Sequence, residues 1–321
     1  MPYSEERLNM VVSLRAANGR FRRNAVVTVV AGILLLATMG VAGCGEKEAS
    51  GGPMKVAASI APLADFCRQV GGGLVEVELM VPPGASPHTY EPTASQMKFL
   101  SDAEVLVLNG LELETWVADV VRKADNPELV EVVAGESVPE SNLIEAVGEH
   151  GLYDPHVWLD PKLAIHEVEA IRDGFIEADP ANRQAYTDNA DRYMRELVAL
   201  DGRIKKDTAA FTRKAFVAFH PSFTYYARRY GLDQVGVIEE LPGKEPGAGE
   251  IADIIEKIKE SGATVVLAEP QFSPKVAETI AAEADVGVVT VDPLGDPDNP
   301  ATNTYVKLME YGTRELSKAM E

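Results

Sequence analysis

Short runs of apolar and β-branched residues alternate along this chain with longer segments whose apolar positions recur every three or four residues. Lys55–Ser59, Val75–Val81, Val105–Asn109 and Leu129–Val133 read as strands, with helices over Pro62–Val70, Thr93–Asp102 and Glu114–Ala124. The second half repeats the theme. Phe216–Phe219, Gln234–Glu239, Thr264–Glu269 and Gly287–Asp292 read as strands, and Ser222–Tyr230, Ala248–Ser261 and Pro274–Ala284 as helices. Strand–helix alternation predicts parallel sheets covered on both faces. The expected fold class is therefore α/β, with two small doubly wound parallel-sheet lobes. Between them Tyr186, Ala190, Tyr193, Leu197, Leu200 and Ile204 form one apolar stripe at helical spacing. Asp179-Pro180 stands where an N-cap and a first-turn proline belong. A helix over 181–211, about 30 residues at 1.5 Å each, makes a rod of roughly 45 Å. Such a rod is a stiff spine between an N-terminal lobe at 54–180 and a C-terminal lobe at 212–321.

The first 44 residues follow a different pattern. Arg15, Arg20, Arg22 and Arg23 precede an uncharged run from Ala25 to Ala42, a positive region followed by an apolar one. The run ends in Val41-Ala42-Gly43-Cys44, and small residues immediately before a cysteine resemble the bacterial lipobox. This predicts a signal peptide at 1–44, lipidation of Cys44, a polar flexible tether at 45–53 and an extracytoplasmic, membrane-anchored location; the alternative is a transmembrane anchor. Of the two cysteines, only Cys67 follows the lipobox. No intrachain disulfide is then expected in the mature chain, and the apolar helical spacing around Cys67 marks a small core residue.

Composition narrows the function. The chain has 321 residues, 46% hydrophobic and 25% charged, which suits a globular protein with more than one core. Its net charge is -20, and loss of the arginine-rich leader makes the remainder more acidic still. Nucleic acid is excluded as a partner, because phosphate binding needs basic patches.

In open α/β sheets, ligands bind beyond the carboxyl ends of strands. Three of the five histidines fall there: His88 in PPGASPHTYEP, His156 in DPHVWLDP and His220 in FHPSF. Asp292, in VDPLGD, occupies the matching point after the last strand. A proline adjoins each of the four, so stiff loops present them and less entropy is lost on binding. Three imidazoles and a carboxylate suit zinc or a neighbouring divalent ion. Trp158 is expected to pack beneath His156. His166 is followed by Glu167, but Ala170 stands where the H-E-x-x-H zinc motif needs its second histidine. His150 reads as a solvated loop residue.

The stretches PPGASPHTYEP, DPHVWLDP, FHPSF, GKEPGAGEI, EPQFSPK and VDPLG, together and in this order, resemble the zinc/manganese substrate-binding proteins of ABC transporters. The resemblance runs over about residues 54 to 320. It implies two α/β lobes joined by one long helix, with a metal held in the cleft by His88, His156, His220 and Asp292 and with Glu269 as a neighbour of the ligands. It also implies a monomeric, lipid-anchored receptor that delivers its ion to a membrane permease and catalyses nothing. An imidazole at position 220, where manganese receptors often carry a carboxylate, favours zinc as the transported ligand over manganese. One departure is the short segment before the second histidine, SNLIEAVGEHGLYD, which lacks the histidine-rich loop of many zinc members. The competing readings are a metal-dependent hydrolase and a surface adhesin.

Overall fold

The computed structural model describes residues 52–146, 151–240 and 243–321, which belong to one compact unit. Cys44, its leader, most of the tether and His150 lie outside the described residues. The first half builds β1 (Met54–Ala58), α1 (Ala61–Gly71), β2 (Val75–Leu79), α2 (Ala94–Ser101), β3 (Val105–Leu108), α3 (Val117–Ala124) and β4 (Val130–Val133). The four strands pair in parallel in the order β2-β1-β3-β4. Helices α4 (Ala164–Ala178) and α5 (Arg183–Thr208) follow. The second half builds β5 (Ala215–Ala218), α6 (Thr224–Tyr230), β6 (Asp233–Val237), α7 (Ala248–Ser261), β7 (Val265–Ala268), α8 (Lys275–Ala284), β8 (Gly287–Thr290) and α9 (Tyr305–Met320). Its strand order, β6-β5-β7-β8, repeats that of the first sheet. The α/β fold with two parallel sheets and a long linking helix is thus the one expected. In each sheet the third strand of its half is internal and wholly apolar, Val105–Leu108 and Val265–Ala268, with every residue buried.

The linking helix α5 is 26 residues long, about 39 Å. Every residue of the predicted stripe from Tyr186 to Ile204 is buried. Its start departs from the expectation. Asp179-Pro180 does not cap it; Pro180–Asn182 form a separate 3₁₀ turn and α5 begins at Arg183. The Asp179 carboxylate instead accepts hydrogen bonds from Asn182 Nδ2 and Tyr186 Oη. Helix α3 also starts later than Glu114, at Val117, because Gly110, Leu111 and Glu112 all adopt left-handed backbone. Cys67 is fully buried, as its helical spacing indicated.

Two further helices close the architecture. Helix α4 packs on α1, α5 and β4. Helix α9 runs back from the second half, and its first residue meets the first: Tyr305 N donates to Asp65 Oδ2 of α1 at 2.9 Å, and Tyr193 Oη of α5 donates to the same oxygen at 3.2 Å. One contiguous apolar core consequently runs from β1 through α5 to α9. Among the described residues no helix is long and apolar enough to cross a membrane.

Candidate metal centre

Three of the predicted residues meet. One ring nitrogen each of His88, His156 and His220 lies within 4.8 Å of the other two. His156 and His220 are buried, at 3% and 5% exposure, and their Nε2 atoms stand 3.2 Å apart. The orientation of both rings is set from behind. His156 Nδ1 lies 2.7 Å from Asp154 Oδ1, and His220 Nδ1 lies 2.7 Å from Glu269 Oε1. A carboxylate accepts, so each Nδ1 is placed as the donor, and a ring that is neutral then turns the lone pair of Nε2 toward the other. Two such lone pairs at 3.2 Å repel unless a cation lies between them or one ring is charged. Two nitrogens bound tetrahedrally at 2.0–2.1 Å to one zinc would stand about 3.3 Å apart. Burial moreover pushes the His156 imidazolium below its ordinary range, with the nearby Asp154 charge acting in the opposite direction. The donor set fits a divalent cation.

Each histidine reaches this point by a different local route. His156 holds itself: Asp154, two residues earlier, accepts from both its backbone N at 2.9 Å and its ring. Trp158 is fully buried beside it, ring centroids 5.3 Å apart, and its Nε1 donates to Pro293 O at 2.8 Å, linking this loop to the one after β8. Tyr225 Oη of α6 donates to Asp154 O. The Asp-Pro pair is therefore a hydrogen-bonding device as well as a stiffener. His220 lies two residues past the end of β5, and Glu269 follows β7 directly. Those strands are neighbours with Val217 opposite Val266, so three residues further on His220 and Glu269 stand side by side.

His88 sits in the loop after β2, and the segment after β3 braces it. Trp116 Nε1 donates to Pro87 O at 3.0 Å and Thr115 Oγ1 to His88 O at 3.1 Å. The same segment reaches the second loop, where Asn109 Nδ2 donates to Pro155 O at 2.9 Å. Its left-handed turn is held by Glu114, whose carboxylate accepts from Asn109 N, Gly110 N and Ser59 Oγ. Left-handed backbone at Leu111 and Glu112 costs roughly 1–2 kcal/mol each; partial burial of Leu111 against the cluster of Val138, Val157, Leu163 and Tyr225 offsets part of it. Neither Asn109 nor Trp116 was singled out from sequence, and no motif spacing marks them.

The carboxylate of Asp292 is not part of the three-histidine cluster. Its Oδ1 accepts from Gln271 Nε2 at 2.9 Å and from Leu294 N at 3.0 Å. Gln271, Leu294 and Pro293 line the pocket together with the three histidines, Trp158 and Phe272. His166 lies elsewhere, on α4, with Nδ1 3.6 Å from Glu169 Oε2.

Comparison with known proteins identifies the family of the chain. The family model for ZnuA, the periplasmic component A of a zinc-uptake complex, matches residues 56–319. The chain belongs to the ZnuA family. It is 30% identical over 290 residues to the zinc-binding lipoprotein AdcA of Streptococcus pneumoniae, covering 87% of this chain but only 58% of that one. It is 29% identical to the manganese-binding lipoprotein MntA of Halalkalibacterium halodurans, over 87% of this chain and 94% of that protein. A solved ZnuA deletion mutant with zinc bound matches with a TM-score of 0.74 at 33% identity, over 84% of this chain and 98% of the other. The ZnuA family is one of metal-binding receptors rather than enzymes, which removes the hydrolase reading.

Proposed function

We propose that this chain captures a divalent metal ion outside the cytoplasmic membrane, held there by a lipidated Cys44, and delivers the ion to an ABC-transporter permease. The observation that carries the reading is the buried pair of Nε2 atoms 3.2 Å apart, each ring turned by a carboxylate on its far nitrogen. His88 supplies the third nitrogen and Asp292 the carboxylate. Zinc is the proposed cargo. Three imidazoles suit it, and the Irving–Williams order places it above manganese at such a site. Membership of the ZnuA family supports metal capture, while zinc- and manganese-binding relatives stand at nearly equal identity, so the choice of zinc rests on the donor set.

The test is metal titration of the purified chain and of its His88→Ala, His156→Ala and His220→Ala variants, with circular dichroism as the control for folding. Each variant is expected to stay folded and to lose affinity by more than the ~10–100-fold typical of an outer partner. A histidine variant of wild-type affinity would remove that residue from the site. Deletion of the gene should cut zinc uptake by cells; loss of manganese uptake alone would overturn the choice of zinc.

A further inference from the structure

Gln271 follows β7 and Asp292 follows β8, and these strands are neighbours with Ala268 opposite Thr290. Register therefore brings the amide to the carboxylate. Gln271 Nε2 and Leu294 N both donate to the same oxygen, Asp292 Oδ1, at 2.9 and 3.0 Å. A carboxylate oxygen has two lone-pair sites, so the two donors saturate Oδ1 and leave Oδ2 to a cation. The amide cannot usefully be turned over, because its oxygen would then face the carboxylate. That oxygen, Gln271 Oε1, is buried with no hydrogen-bond partner, so the amide spends its only buried bond on Asp292.

We propose that Gln271 is a specificity-determining residue: by occupying Asp292 Oδ1 it limits Asp292 to one bond and fixes the cation at four ligand atoms. The inference rests on the metal-receptor reading above. Three imidazole nitrogens and one oxygen make the four-coordinate tetrahedral set that zinc takes in closed sites. Manganese suits oxygen-rich octahedral surroundings. A second bond from Asp292 would add an oxygen and a fifth position, which favours manganese relative to zinc. Gln271 touches neither histidine nor ion in this scheme; it acts through the carboxylate.

The test compares wild type with Gln271→Met, which keeps the side-chain length and removes the donor. Zinc and manganese affinities are measured by competition, and the visible spectrum of the cobalt(II) form reports coordination number. The manganese-to-zinc affinity ratio is expected to rise by about tenfold or more, and the tetrahedral cobalt band to lose intensity. In the Asp292→Asn background, where only one oxygen remains, Gln271→Met should leave the ratio unchanged. An unchanged ratio and spectrum in the single variant would overturn the assignment. So would an equal shift in the Asp292→Asn background, or wild-type affinity for both metals in Asp292→Asn itself. Wild-type protein that bound neither metal would instead refute the receptor reading.

Discussion

The two lobes share a strand order but orient their histidines by different means. In the N-terminal lobe the carboxylate behind His156 is Asp154, two residues away in the same loop. The segment after β3 then grips the ligand loops by their main chain, through Pro155 O, Pro87 O and His88 O. In the C-terminal lobe the partners are side chains from the next strand: Glu269 on His220 and Gln271 on Asp292, both just past the end of β7. The third strand of each half, β3 or β7, thus leads to the support and to no proposed ligand. The contrast teaches that a ligand on a long loop needs its backbone held, whereas one at a strand's end is already placed by the sheet and needs only its ring turned.

Buried acids with a partner contrast with one that has none. Glu269 is 2% exposed and holds a histidine. Glu167 on α4 is fully buried, neither of its oxygens has a hydrogen-bond partner, and Glu114 lies near. Burial above all, and the neighbouring Glu114 charge next, push the Glu167 carboxyl up to about 8. A raised folded value means that the folded state binds the proton more tightly. Stability then falls as pH rises from about 4.5 toward 8, by a few kcal/mol in all. Glu167→Gln should flatten this loss, and thermal melting at pH 6 and pH 8 measures it. A variant that lost stability with pH as steeply as wild type would show that Glu167 is not the group responsible.

A smaller effect is expected where the lobes are compared directly. Glu269→Gln removes the acceptor that turns His220 and should weaken zinc binding about 10–100-fold without unfolding the chain. Asp154→Asn should lose metal affinity to a similar extent and also loosen its loop, because Asp154 bonds the His156 main chain. Equal stability of the two metal-free variants would erase the distinction between a ring-turning and a loop-holding carboxylate. Trp116→Phe is the mildest change. It deletes one hydrogen bond to Pro87 O, worth about 1 kcal/mol, so roughly a fivefold loss of affinity is expected by titration. No loss at all would mean that the His88 loop keeps its place without this brace.

Much of this was legible in the chain. The alternation of strands and helices, the buried stripe of α5 and the histidine after each of three strands follow from period and position, which are local properties. His156 illustrates the limit of such reading: its Asp-Pro pair stood out as stiff, yet the reach of the Asp154 carboxylate to the ring depends on backbone torsions within the loop. The left-handed turn at 110–112 was invisible because Leu111 and Glu112 are poor residues for it, and the partial burial of Leu111 that offsets part of the strain comes from α4, α6 and their loops. Helix α9 lacked a partner in any local pattern, since its first residue docks on α1 across the whole sequence.

The sequence by itself determined which residues have the chemistry to bind a metal and that stiff loops at strand ends present them. Only the tertiary structure decided which of them meet and what stands behind each. Glu269 reaches His220, and Gln271 reaches Asp292, because parallel pairing sets β5, β7 and β8 side by side in one register. Strand order is a choice among many sterically allowed arrangements, made by burial of the whole sheet, and no single segment encodes it.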